Sequence, residues 1–441
     1  MSAAETKVAG RNGIAVRTPS RDSQREDGFR TYEVYQRERV GESTAKIKPR
    51  QLMADEYRRD PYPALTILRE NYPCYRDWLA NRYWLTRYDD VTSVFADDAN
   101  FETRPKTWYY GLEDFGRDLN QELPVLTVEA KCYDQHTVPI SERLLAAVLE
   151  RGRGDLVRDF TARLPLELLC ALVGIPEAQV EQFCSLYWQA QRGVSWQPAL
   201  QRQGHQALMH LAQLIEPLLK TRSADGEDLL SACLQVDPKV TAQDIVVTLL
   251  ERDHETLQGA LSNLWFLLLT QPQVLNELAT DRRLMKLAYL ETLRHSTPVL
   301  TAQRFAKHEV ERFGRLLPEG ALVVCSAAAA NRDPRIFADP DRFIVDRPDL
   351  TQREPRGQYR ADGLASGIAF GLGKPSRHPA VPEDRPRSRY ALTRDTAVDA
   401  AMTILESVSA IELAPEAVPE LTALTLGEMH TCWRLPVTTR P

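Results

Sequence analysis

Glu291-Thr292-Leu293-Arg294, then Arg304, a strand over Leu322–Cys325, Ala329-Ala330-Asn331-Arg332-Asp333-Pro334, and Phe337-Ala338-Asp339-Pro340-Asp341-Arg342-Phe343 form the series whose order decides the fold. Glu291 and Arg294 stand three residues apart in a helical pattern, which puts them on one helix face. The strand is introduced by the turn Pro318-Glu319-Gly320. A lone Glu-x-x-Arg is weak evidence, since most such pairs are solvated surface pairs. The same pair followed by the Asn331–Pro334 and Pro340–Phe343 segments is far more specific.

Outward from this stretch, amphipathic helix signals dominate. Leu156–Val173 ends at Gly174 and Pro176, and Ala207–Leu219 carries Leu and Ile at helical spacing. Strand signals are few and short, at Tyr83–Thr86 and Ala321–Cys325. The expected architecture is mainly α with small β-sheets, in one domain over residues 49–441. Residues 1–48 alternate basic and acidic side chains with few aliphatics, so a disordered charged arm is expected there.

Composition narrows the function classes. In 441 residues, 43% hydrophobic and 26% charged side chains suffice for a sizeable core. No apolar run reaches the ~18 residues of a membrane helix, and the net charge of −6 gives no general attraction to nucleic acid or anionic lipid. The first thirty residues lack the apolar stretch of a signal peptide, so a cytoplasmic location is expected. The seven cysteines are scattered and never spaced C-x-x-C, which argues against both a disulfide framework and a zinc site.

The longest helix signal runs from Thr241, a plausible N-cap, to Thr270 before Gln271-Pro272. Both its ends are apolar nearly all round, as in a central, buried helix. Its middle reads Glu251-Arg252-Asp253-His254-Glu255-Thr256. Such a run covers all sides of a helix, so some of these residues must face inward, toward a cavity or a partner charge. The bland reading is a locally solvated stretch with internal ion pairs.

The ordered series closely resembles the cytochromes P-450, the thiolate-ligated haem monooxygenases, and the similarity covers roughly residues 50 to 435. The resemblance implies a buried ion network of Glu291, Arg294 and Arg342. It implies that the long helix lies over the haem, with Glu255 and Thr256 as the acid–alcohol pair that delivers protons. Where the family places Ala-Gly, beside the oxygen pocket, this chain has Arg252 and Asp253. Phe370-Gly371-Leu372-Gly373 resembles the start of the haem-binding loop. The positions of the basic residue and the ligand cysteine are then held by Pro375 and Arg377, and no cysteine lies between Cys325 and Cys432. Asp134-Gln135-His136-Thr137 resembles the start of the family's third helix. Its propionate-binding Arg is replaced by Ile140, and Pro139 interferes with the helix start. His136 and Arg304 remain as propionate partners.

Thiolate donation promotes O–O cleavage, so these departures imply a P-450-fold protein without monooxygenase activity or cofactor. It would act as an accessory or small-molecule-binding protein in a biosynthetic pathway. The alternatives are haem held through another ligand, with His378 nearest, and haem-free acid/base chemistry at Asp253, His254 and Glu255. The basic segment from Lys374 to Arg394 is the expected docking surface for an acidic protein partner. No metal site, nucleic-acid contact or membrane contact is expected.

Overall fold

A computed structural model describes residues 45–112, 114–252, 254–351, 389–424 and 429–440. Most of the expected arm lies outside these residues, but its end does not. Ile47 is buried, and its carbonyl accepts a hydrogen bond from Tyr75 Oη at 3.2 Å. Packing therefore begins before residue 49, earlier than expected.

Eleven helices position the site, numbered here in chain order. They are α1 (Tyr62–Asn71), α2 (Tyr88–Phe95), α3 (Leu123–Arg151), α4 (Leu164–Val173), α5 (Val180–Arg192), α6 (Pro198–Lys220), α7 (Leu229–Val236), α8 (Ala242–Leu250), α9 (His254–Thr270), α10 (Arg282–His295) and α11 (Arg389–Ser407). The main sheet has the strand order β1 (Tyr75–Asp77), β2 (Arg82–Leu85), β5 (Leu322–Ser326), β4 (Thr301–Ala306) and β3 (Phe101–Glu102). Strands β2 and β5 run parallel, with Trp84 opposite Val324; β5 and β4 run antiparallel, with Cys325 opposite Ala302. The predicted turn does introduce β5: Gly320 has φ +73°, and Ala321 N–H donates to the Pro318 carbonyl at 3.0 Å.

Two large cores meet at the central helices. One packs α9, α10 and α11 against the main sheet, with Trp265, Tyr289 and Leu293 fully buried. The other packs α4 to α8 around Phe183, Tyr187, Leu211 and Leu249.

Three local expectations change. Leu156–Val173 is not one helix: a wide turn over Val157–Thr161 precedes α4. Pro139 does not delay a helix start, because α3 runs through it for 29 residues. The missing Pro N–H costs one rung of that helix. Most consequentially, the central helix is not continuous. Thr241 caps α8 as predicted, with its hydroxyl accepting from Asp244 N–H at 3.2 Å and the Asp244 carboxylate accepting from Thr241 N–H at 2.9 Å. The helix then stops at Leu250 and restarts at His254.

Around Glu291 and Arg294 the geometry is dense. Arg294 donates to both Glu291 oxygens, at 2.7 and 2.8 Å, with both side chains fully buried. Its remaining N–H groups reach the carbonyls of Asn331 at 2.9 Å, Pro340 at 2.8 Å and Arg342 at 3.0 Å. Arg342 thus enters only through its backbone. Its side chain is 73% exposed and lies 3.8 Å from Asp339. The third guanidinium is that of Arg347, buried 3.6 Å from Glu291 and 3.4 Å from Asp349. The coil after Pro340 brings residue 347, not 342, back over the helix.

Candidate functional site

The break between α8 and α9 turns the polar block into a site. Ending α8 at Leu250 frees carbonyls that a continuous helix would have used. Side chains from α5 take them: Tyr187 Oη donates to the Leu249 carbonyl at 3.2 Å, and Gln191 Nε2 to the Leu250 carbonyl at 2.8 Å. Lys106, at the start of the 3-10 turn Lys106–Tyr110, donates from Nζ to the Arg252 carbonyl at 3.2 Å and to Gln191 Oε1 at 3.0 Å. A cation at a helix C-terminus is also favoured by the helix dipole. Glu251 completes the clasp by accepting from Lys106 N–H at 2.5 Å.

Arg252 faces inward, but toward a partner charge. It is buried and its Nη1 donates to Glu129 on α3. Burial, the largest influence, lowers its pKa; the Glu129 carboxylate, together with Tyr133, Tyr187 and Cys233, outweighs it, and the net shift is upward. Its Nε and Nη2 have no hydrogen-bond partner among the described residues. Asp253 lies outside the described residues.

His254 opens α9 and is 94% buried, since only 6% of its surface is exposed. Tyr187 and Trp188 of α5 flank its ring, with centroids at 4.7 and 5.6 Å. Neither ring nitrogen has a hydrogen-bond partner among the described residues. Burial, assisted by the Lys106 charge, holds its pKa well below the usual histidine range. The imidazole is therefore neutral at neutral pH. It is not hydrogen-bonded to Glu255, and Asp253, the third member of the expected acid/base grouping, lies outside the described residues.

The 3-10 turn ties the break to the main sheet. Trp108 packs on Phe305 of β4 at 5.4 Å and on Trp196 at 5.6 Å, while Tyr109 Oη donates to Gln303 at 2.6 Å. Tyr110 inserts its hydroxyl between Gly193 and Gly204, where α5 meets α6, and donates to the Ala190 carbonyl. A Cβ at either glycine would lie under 3 Å from that hydroxyl, so the close approach requires glycine. Farther along α9, Thr256 is buried, and a Cβ at Gly259 would come within 2.5 Å of Pro298 Cβ.

The two residues read as propionate partners have different fates. His136 is exposed on the middle of α3. Arg304 is buried: strand alternation sends Gln303 and Phe305 toward the 3-10 turn and Arg304 to the opposite face. There its guanidinium lies over Phe95 at 4.7 Å, and Nη1 donates to the Gln303 carbonyl at 2.8 Å. Ile140 is buried in the core. Pro375, Arg377 and His378 lie outside the described residues, as does most of the basic segment from Lys374. Lys106, Gln191, Glu129 and Arg347 were missed by sequence reasoning. Glu251 and Arg252 lie 145 and 146 residues from Lys106, Arg252 lies 123 from Glu129, Leu250 lies 59 from Gln191 and Glu291 lies 56 from Arg347, so no local signal links them.

Comparison with known proteins places this geometry. The Cytochrome P450 family model matches residues 198–374. The chain is 29% identical over 363 residues to 6-deoxyerythronolide B hydroxylase of Saccharopolyspora erythraea, covering 74% of this chain and 86% of that protein. It is 26% identical over 356 residues to pulcherriminic acid synthase of Bacillus subtilis, covering 74% and 85%. Among solved structures, CalO2 superposes with a TM-score of 0.68 at 23% identity, over 90% of this chain and all of that one. No helix among the described residues is long and apolar enough to cross a membrane.

These matches overturn the expectation that no cofactor is involved, because they place the chain among haem proteins. Tested against the described residues, the fit to haem is incomplete. Arg304 is a buried cation of the kind that suits a propionate, whereas His136 is exposed. The segment Phe370–His378, where the resemblance puts the iron's protein ligand, is outside the described residues. The buried Glu291–Arg294 pair, the mixed sheet and the central helix, together with these matches, place the chain in the cytochrome P450 family.

Proposed function

We propose that this P450-family chain serves a biosynthetic pathway as a small-molecule-binding or accessory protein and not as a thiolate-driven monooxygenase. The placement of its cysteines carries this reading. None lies between Cys325 and Cys432. The seven thiols are all free. Burial pushes those of Cys74, Cys132, Cys233, Cys325 and Cys432 up to about 12, so they are protonated at neutral pH. Cys170 and Cys184 face each other. A haem, when bound, supplies oxygen chemistry in this family, and electron donation from a thiolate is what drives O–O cleavage. The break at Glu251–Arg252 supports the same reading, since the segment that should flank the oxygen pocket is instead engaged by Lys106 and Glu129.

The family's haem favours a second reading, in which His378 takes the ligand's place, as imidazole does in other haem proteins. In both readings the basic segment Lys374 to Arg394 is the proposed docking surface for an acidic protein partner, and a cytoplasmic location is proposed. The test is oxygen uptake by the haem-supplied protein with a surrogate ferredoxin and its reductase. The reading expects none above the background of the reductase system. Uptake coupled to hydroxylation of an added substrate would contradict it.

A further inference from the structure

We propose that Cys170 and Cys184 form a reversible redox pair that joins α4 to α5 under a hydroperoxide. The thiols belong to consecutive helices and their sulfurs are 3.7 Å apart, with Cys170 buried and Cys184 half-buried. They are already in contact, so a small approach of the side chains brings them to bonding distance. The pairing is held by its surroundings. Gly174, with φ +73°, ends α4 just beyond Cys170 and turns the chain back toward α5. Phe183, beside Cys184, is fully buried in the same core.

The two sulfurs are not equivalent. When Cys170 S–H donates to Cys184, that hydrogen bond lowers the Cys184 pKa and raises that of Cys170. Cys184 is thus the first to lose its proton, and it is also the more accessible. Its thiolate attacks the peroxide oxygen, giving a sulfenic acid and releasing the alcohol or water. Cys170 sulfur then attacks the Cys184 sulfur, and the sulfenic hydroxyl leaves as water with the Cys170 proton. Two thiols are oxidised to one disulfide, and one hydroperoxide is reduced.

The bond would act on the site through α5. That helix carries Tyr187 and Gln191, which cap α8, and Trp188, which covers His254. Tethering Cys184 holds one end of the helix that closes the break.

The experiment treats the full chain with a mild excess of hydrogen peroxide, quenches with an alkylating reagent and maps peptides by mass. The expected product is a Cys170–Cys184 crosslinked peptide, lighter by two hydrogens than the sum of its parts and reversed by dithiothreitol. Hydrogen exchange across residues 180–192 should slow in the oxidised form and return on reduction. In Cys170→Ser the crosslink should vanish and Cys184 should accumulate as a dimedone-trappable sulfenic acid; in Cys184→Ser neither should form. Oxidation of Cys184 in the parent without a crosslink to Cys170, or unchanged exchange in α5 after crosslinking, would overturn the proposal.

Discussion

Two buried polar regions of the same scaffold obey different rules. Around Glu291 and Arg294, the carboxylate is met by a bidentate guanidinium and by Ile344 N–H at 3.0 Å, and Arg294 reaches three carbonyls of the following coil. At the α8–α9 break, Arg252 pairs with the Glu129 carboxylate but has two nitrogens without hydrogen-bond partners among the described residues, and His254 has two more. Satisfied polar networks specify a fold, whereas orphaned buried groups cost free energy. The break leaves such nitrogens on its two central residues, whereas Glu291 and Arg294 leave none and only the flanking Arg347 has Nε and Nη1 without hydrogen-bond partners among the described residues.

The sharpest way to break that comparison is to delete one member of each pair. Arg294→Ala should cost about 3–5 kcal/mol, because the buried Glu291 charge keeps only the more distant Arg347 guanidinium and three carbonyls lose their donor; urea denaturation measures it. The paired change Glu291→Leu with Arg294→Met should recover little, since those carbonyls stay unpaired. At the break, Arg252→Met alone should cost less, about 2–3 kcal/mol for the loss of the guanidinium beside the buried Glu129. Combined with Glu129→Leu, it should return stability to within about 1 kcal/mol of the parent. If the two double variants behave alike, the contrast between the regions is wrong.

A smaller effect concerns pH. The folded His254 pKa is depressed while the unfolded value is about 6.5. The unfolded state therefore binds the proton first. Stability is full above about pH 6.5 and falls as the pH drops toward the folded pKa, by up to about 1.4 kcal/mol per pH unit. His295, depressed to about 3, and His430 add slopes of the same sign. His254→Phe should flatten the decline between pH 6.5 and 5 and, by removing two orphaned nitrogens, melt no lower than the parent at pH 7. An unchanged slope would show that His254 finds a partner when folded. Smallest of all, Tyr110→Phe loses a single hydrogen bond to Ala190 and should cost about 1 kcal/mol.

The scaffold was legible where local chemistry speaks. Thr241 marked a helix start, Pro318–Gly320 marked a turn, and Glu291 with Arg294 marked a shared face. The altered region was legible only as composition. A run of polar residues shows that a central helix is disturbed, but a tilted helix and a broken one satisfy the same pattern. Lys106 and Gln191 decide it by taking the freed carbonyls from distant parts of the chain. The exchange of Arg342 for Arg347 has the same origin, since both arginines lie in coil and no periodicity says which one returns to Glu291.

The central claim is that this chain keeps the family's scaffold without its thiolate chemistry. The most direct measurement is the carbon-monoxide difference spectrum of the reduced, haem-supplied protein, with Arg377→Cys alongside. The account predicts no red-shifted thiolate-type band in the parent and no substrate oxidation in the variant, because one sulfur does not rebuild the surroundings that tune a metal ligand. A strong thiolate-type band in the parent would contradict the account outright, and such a band with turnover in Arg377→Cys would reduce the difference to a single residue.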